Sequence, residues 1–164
     1  MRIRQVTESD SDRWLDLRQQ LWPTESRAEL SEEMNRLLAS DAEEVAFAAE
    51  DDDGTLVGLI EGSLRLHAPG CETSPVGYIE GWYVKPKYRR YGIGRILVER
   101  LEIWARERGC TEMASDTDSD YPISAVAHER LGYRETVRYR KGECRIEPGH
   151  DEVDYCIHFC KQLY

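Results

Sequence analysis

The stretch from Tyr78 to Gly109 constrains this chain more than any other. A strand-like run, Tyr78 to Val84, stops at Pro86, and the eleven residues Lys85 to Arg95 carry five bases and no acid. Ile93, Ile96, Leu97, Leu101, Trp104 and Ala105 then recur at the spacing of one helical face, and Gly109 suits a left-handed helix end. A strand feeding an amphipathic helix requires a layered α/β arrangement, because the apolar stripe must be buried against a neighbouring sheet.

The remaining pattern extends that unit in both directions. Ile3 to Val6 reads as a short strand, and Thr7 or Asp10 is placed to cap a helix that runs to about Leu21 and stops before Pro23. A second helix spans about Ser26 to Ala39. Val45 to Glu50 and Thr55 to Leu66 form a hairpin across Asp53-Gly54. Thr111 to Ser115 is a strand leading to Asp116, and Pro122 opens a helix that closes at Leu131-Gly132. Tyr133 to Arg145 and Val153 to Leu163 alternate as two final strands. The order is β-α-α-β-β-β-α-β-α-β-β, a mixed central sheet flanked by helices, and residues 1–164 suit one domain.

Charge narrows the partners. Thirty-two acids against 22 bases give a formal net charge of −10, which repels nucleic acid and anionic membranes and attracts cations. No apolar run reaches the roughly 20 residues of a membrane span, and MRIRQVTESD lacks a signal-peptide core, so the expected location is cytoplasmic. The five cysteines, Cys71, Cys110, Cys144, Cys156 and Cys160, are therefore expected as reduced thiols. Cys156 and Cys160 would share one side of a strand, and with His150 and His158 they match no zinc spacing, so no metal is expected.

Against this acidic background the basic turn stands out. Gly92 and Gly94 let the backbone approach a phosphate without a Cβ in the way, and the free amides opening the next helix point at such an anion. Arg89, Arg90 and Arg95 add charge. The three-glycine dinucleotide loop and the Gly-Lys-Ser/Thr phosphate loop are both absent.

Arg89-x-x-Gly92-x-Gly94, after a strand and opening a helix, resembles the acetyl-CoA signature of the GNAT superfamily, and Ala127-His128-Glu129-Arg130-Leu131-Gly132-Tyr133 looks like its second signature. The resemblance implies a sheet whose strands Tyr78–Val84 and Thr111–Asp116 splay apart to admit the pantetheine arm. Acetyl-CoA would lie against Tyr83 and Val84, with the Val84 N–H polarising the thioester. Its diphosphate would sit on Arg89, Arg90, Tyr91, Gly92, Ile93, Gly94 and Arg95. His128 stands where many members carry a tyrosine that protonates the leaving thiolate, and Tyr121 stands where an asparagine usually touches the cofactor.

Further strings resemble one branch, the aminoglycoside 6′-N-acetyltransferases: Leu21-Trp22-Pro23, Ser63-Leu64-Arg65 with His67, Ser74 to Val84, Ala114-Ser115-Asp116-Thr117-Asp118, and Leu131 to Thr136. This branch implies a cationic amine substrate held by Glu80, Asp116 and Glu135, with Trp22, Trp82 and His67 in contact. Asp116 or Glu80 would accept the amine proton through a water, acetyl would pass directly to the amine, and the protein would be a homodimer. Another amine (a polyamine, an amino sugar or a protein N-terminus) and a non-catalytic acetyl-CoA-binding module are the competing readings.

Overall fold

The computed structural model describes residues 1–40, 43–140 and 155–164. Its elements follow the expected order: β1 (Arg2–Gln5), α1 (Ser11–Leu21), α2 (Arg27–Ala39), β2 (Glu44–Glu50), β3 (Leu56–Arg65), β4 (Val76–Val84), α3 (Ile93–Glu107), β5 (Glu112–Asp118), α4 (Pro122–Arg130), β6 (Arg134–Arg140) and β7 (Tyr155–Gln162). β5 continues three residues past the expected Ser115, so Asp116 lies within the strand. Arg145 and Val153, the expected inner ends of the last two strands, lie outside the described residues.

The seven strands form one sheet in the order β1-β2-β3-β4-β5-β7-β6. β4 and β5 are its parallel pair, as expected where a helix connects two neighbouring strands; the other neighbours run antiparallel. Helices cover both faces. α1 and α2 lie on one, where Trp14, Leu17 and Met34 pack with Ala46, Ala48 and Leu59. α3 and α4 lie on the other, where Leu97, Val98, Leu101, Trp104 and Ala105 are buried against Phe47, Val57, Ile60 and Ile79. Each such aliphatic side chain contributes about 1.5–3 kcal/mol by burial.

Cys71 and Cys160 form a disulfide, which corrects the expectation of reduced thiols throughout. The loop after β3 folds back over β5 and β7. There the Glu112 carboxylate accepts hydrogen bonds from the Glu72 and Thr73 amides and the Thr73 hydroxyl, and this carries Cys71 to a Cα separation of 6.1 Å from Cys160. Among the described residues these three, Cys71, Glu112 and Cys160, also form the group whose ligand atoms could hold a metal, lying within 4.8 Å of one another. The sulfurs are bonded to each other, however, and the carboxylate is occupied. Cys156 and Cys160 do share a face of β7, paired with Asp118 and Ala114 of β5. Among the described residues no helix is long and apolar enough to cross a membrane.

Candidate active site

β4 and β5 pair only at Gly77↔Met113, Tyr78↔Ala114 and Ile79↔Ser115. The parting coincides with a bulge on β4. There Gly62 faces Ile79 and Glu61 faces Gly81, which leaves Glu80 without a partner on β3. A bulge bends its strand and re-aims the side chains beyond it. Glu80 and Gly81 therefore both look toward α1 and α2, Tyr78 packs with Ala68 and Cys71 of the loop after β3, and Ile79 and Trp82 look toward α3 and α4.

On the α1–α2 side lies a cavity of about 530 Å³ whose lining includes Trp22, Glu25, Glu33, Glu44, Glu61 and Glu80. Its floor is the Glu61 carboxylate, which is buried, accepts the Trp14 indole N–H at 2.7 Å and lies 3.0 Å from Arg18 Nε. That separation is ionic contact without hydrogen-bond alignment, since Arg18 Nε has no hydrogen-bond partner. Arg18 also donates to the Leu30 carbonyl and to Glu33, and its guanidinium lies 4.8 Å from the Trp22 ring centre. Burial pushes the Glu61 carboxyl up, against the pull of Arg18.

The two expected carboxylates both border the parting. Glu80 is exposed, accepts both donors of the Arg65 fork at 3.0 and 2.7 Å and is bonded by the Ser63 hydroxyl. Asp116 is exposed at its carboxylate and accepts the Tyr78 hydroxyl through Oδ1 at 2.5 Å. Arg65 lies 3.4 Å over the Tyr78 ring, so Glu80, Arg65, Tyr78 and Asp116 form one connected chain across the opening.

On the opposite face, α3 begins at the edge of the same opening. Gly92 is its N-cap with φ +81, and no side chain caps the first turn, so the opening amides remain available to an anion. A Cβ at Gly94 would stand 3.0 Å from the Trp82 ring, so that glycine also admits Trp82 beneath the helix. Arg90, at φ +69, and Tyr91 are exposed around this turn, and Ile93 is buried. Arg95 is turned along the helix toward Glu99, 3.6 Å away. Lys85 donates its amide to Val57, so by strand alternation the neighbouring Val84 amide and carbonyl point into the opening. Arg89 Nε donates to that carbonyl at 2.7 Å, which leaves the Val84 N–H as the oriented donor. The Tyr83 ring packs toward α1, its hydroxyl donating to Gln20, and by the same alternation its backbone groups turn to β3, so the expected cofactor contact falls to Val84.

Three expected roles do not fit this geometry. His128 is buried, stacked on Phe159 at 4.8 Å and edge-on to Trp82 and Tyr133. Its Nδ1 must donate to the Ser124 carbonyl, so in the neutral ring Nε2 accepts from the Ser115 hydroxyl, each at 2.8 Å. Burial holds its pKa below the usual value, so it is a poor source of the proton for a leaving thiolate. Trp82 faces α3 and α4 rather than the acidic cavity. Glu135 pairs across the ladder with Phe159, on the α4 face, and its carboxylate binds Arg138 at 2.8 Å, which holds it below the usual carboxylate range. Tyr121 is exposed at the N-cap of α4. His67 is exposed in the loop after β3, and Trp22 lines the acidic cavity. Sequence reasoning did not single out Tyr78, Arg65 or the acids of α2; only the net charge hinted at the last.

A strand pair that parts beside a helix opening in free amides is an acetyl-CoA architecture, and the chain belongs to the acetyltransferase (GNAT) family, whose model it matches over residues 11–133. It is accordingly an acetyl-CoA-dependent N-acetyltransferase. Its relatives include an aminoglycoside N(6′)-acetyltransferase type 1 from Stenotrophomonas maltophilia, 40% identical over 89% of this chain and 94% of that one. The apo crystal structure of the aminoglycoside antibiotic 6′-N-acetyltransferase AAC(6′)-IG from Acinetobacter haemolyticus is 37% identical, with a TM-score of 0.82 over 90% of this chain and all of that one. AAC(6′)-Iy, solved with the bisubstrate analogue CoA-S-monomethyl-acetylneamine, is 32% identical with a TM-score of 0.79, covering 92% of this chain and 97% of that one.

Proposed function

We propose that residues 1–164 act as one domain that transfers the acetyl group of acetyl-CoA to the 6′-amino group of an aminoglycoside. The observation that carries this reading is the acidic cavity opening onto one face of the parted strands, with the free α3 amides at the other. An aminoglycoside is a compact polycation, and the lining acids outnumber the lining bases Arg18 and Arg36, with Glu25 and Glu44 placed to meet ammonium groups, while Trp22 offers a flat surface to a sugar ring. The names of the relatives favour this amine over a polyamine.

Acetyl-CoA supplies the activated acyl group; its diphosphate would rest on the amides of Ile93, Gly94 and Arg95. The Val84 N–H would polarise the thioester carbonyl. The bound amine is an ammonium ion, and a carboxylate beside it favours the charged form. One of the two bordering carboxylates therefore serves binding and the other accepts the proton, directly or through a water, before nitrogen attacks carbon. The C–N bond forms, the C–S bond breaks, and the second proton of the attacking nitrogen passes to the departing sulfur, so that the products are the amide and the CoA thiol. A homodimer and a cytoplasmic setting, in which the surface charge disfavours nucleic acid, complete the reading.

The test is a matched pair of aminoglycosides differing only in a 6′-amino or 6′-hydroxyl group, assayed by thiol release from acetyl-CoA. Turnover of the amine alone, with acetyl found on that nitrogen, is the expected result. Turnover of spermidine with neither aminoglycoside accepted would overturn it.

A further inference from the structure

We infer that Tyr78 is a positioning residue that orients Asp116 as the proton acceptor, while Arg65 occupies Glu80 and takes it out of that role; this rests on the acetyl transfer proposed above. The two carboxylates are not equivalent. Glu80 is saturated by a bidentate guanidinium and a serine hydroxyl, so its charge is largely compensated. Asp116 receives on Oδ1 a single neutral donor, from a ring buried at 1% exposure. That ring has no freedom to turn away. It lies in the sheet with Arg65 3.4 Å above it, and Arg65 is itself held by Glu80. The hydroxyl stays protonated at any working pH, because burial and the adjacent Asp116 charge push its pKa up. It therefore fixes Oδ1 of Asp116 and leaves Oδ2, whose other contact is the weak Cys156 thiol donor at 3.7 Å, to take the amine proton.

The groups around Asp116 are known. Arg65 approaches from β3, and Glu80 and Tyr78 lie on β4. The Cys156 thiol lies 3.7 Å from Oδ2, His158 stands opposite on β7, and His128 lies on α4. Among these described groups Tyr78 is the donor that contacts Oδ1.

The experiment compares wild type, Tyr78→Phe, Asp116→Asn and the double variant. Phenylalanine keeps the ring under Arg65, so circular dichroism and the melting curve should show a folded protein. We expect Tyr78→Phe to lower kcat about 10-fold with KM for both substrates within about 3-fold, which is the signature of a lost transition-state contribution. Asp116→Asn should lower kcat about 100-fold or more, and adding Tyr78→Phe to it should change little further. Wild-type kcat in Tyr78→Phe, full activity in Asp116→Asn, or additive losses in the double variant would each overturn the inference. Should wild type acetylate no aminoglycoside, the proposed function fails by itself. The carbon-13 carboxyl shift of Asp116, read at one fixed pH, then still decides on Tyr78, since a displaced resonance in Tyr78→Phe supports the contact and an unchanged one contradicts it.

Discussion

The indole edge of Trp22 lies against the backbone of Gly81: a Cβ added there would stand 2.6 Å from Trp22 Cη2. The wall of the acidic cavity is thus set by a missing side chain on the neighbouring strand. Gly81→Ala should push Trp22 outward and raise KM for the aminoglycoside about 10-fold, a loss of about 1.4 kcal/mol. Acetyl-CoA affinity, read by calorimetry, should be unchanged, because the α3 turn lies on the other face.

His128 gives a pH prediction. Its imidazole is buried neutral, so its folded pKa lies below its ordinary value. The unfolded chain therefore binds the proton more readily. The stability this contributes is complete above about pH 6.5 and is lost as pH falls through the folded value. Denaturant melts should show that decline in wild type and a shallower one in His128→Gln. The variant should lose about 1–2 kcal/mol at pH 8, from the unpaired Ser115 and Ser124 groups. Turnover within about 5-fold of wild type, small beside the 10²–10⁴ typical of proton transfer, is expected if His128 does not protonate the thiolate.

Arg18 neutralises the cavity floor. Arg18→Met leaves the buried Glu61 carboxylate without its cation, and breaking one side of such a pair typically costs about 3–5 kcal/mol. Changing both, Arg18→Met with Glu61→Gln, should recover much of that loss in urea melts. Recovery would show that the penalty lies in the stranded charge rather than in lost packing.

The element order and the glycine turn that opens α3 were legible because both rest on local signals: apolar spacing, Pro86, Gly92 and Gly109. What escaped was facing. Trp82 would share the side of Glu80 in an unbroken strand, yet the bulge at Glu80 turns Trp82 toward Gly94 and His128. A second register shift, between Glu135 and Val137, accompanies the placement of Glu135 on the α4 side. The first is flanked by Gly62 and Gly81, glycines of the kind that mark bulges, whereas the second has no residue-type signature. Long-range partnerships were equally silent. Cys71 and Cys160 are 89 residues apart, and Tyr78 meets Asp116 only because β4 and β5 lie side by side.

Gly92→Asp probes the phosphate cradle most directly. Nothing lies within 4 Å of a Cβ at that position, and aspartate tolerates φ +81 better than most residues, so the chain should still fold. A carboxylate at the N-cap would also favour the helix while occupying and charging the very spot assigned to the diphosphate. Calorimetric titration with acetyl-CoA should show affinity falling about 100-fold or more, roughly 2.7 kcal/mol. Unchanged affinity in the folded variant would contradict the account.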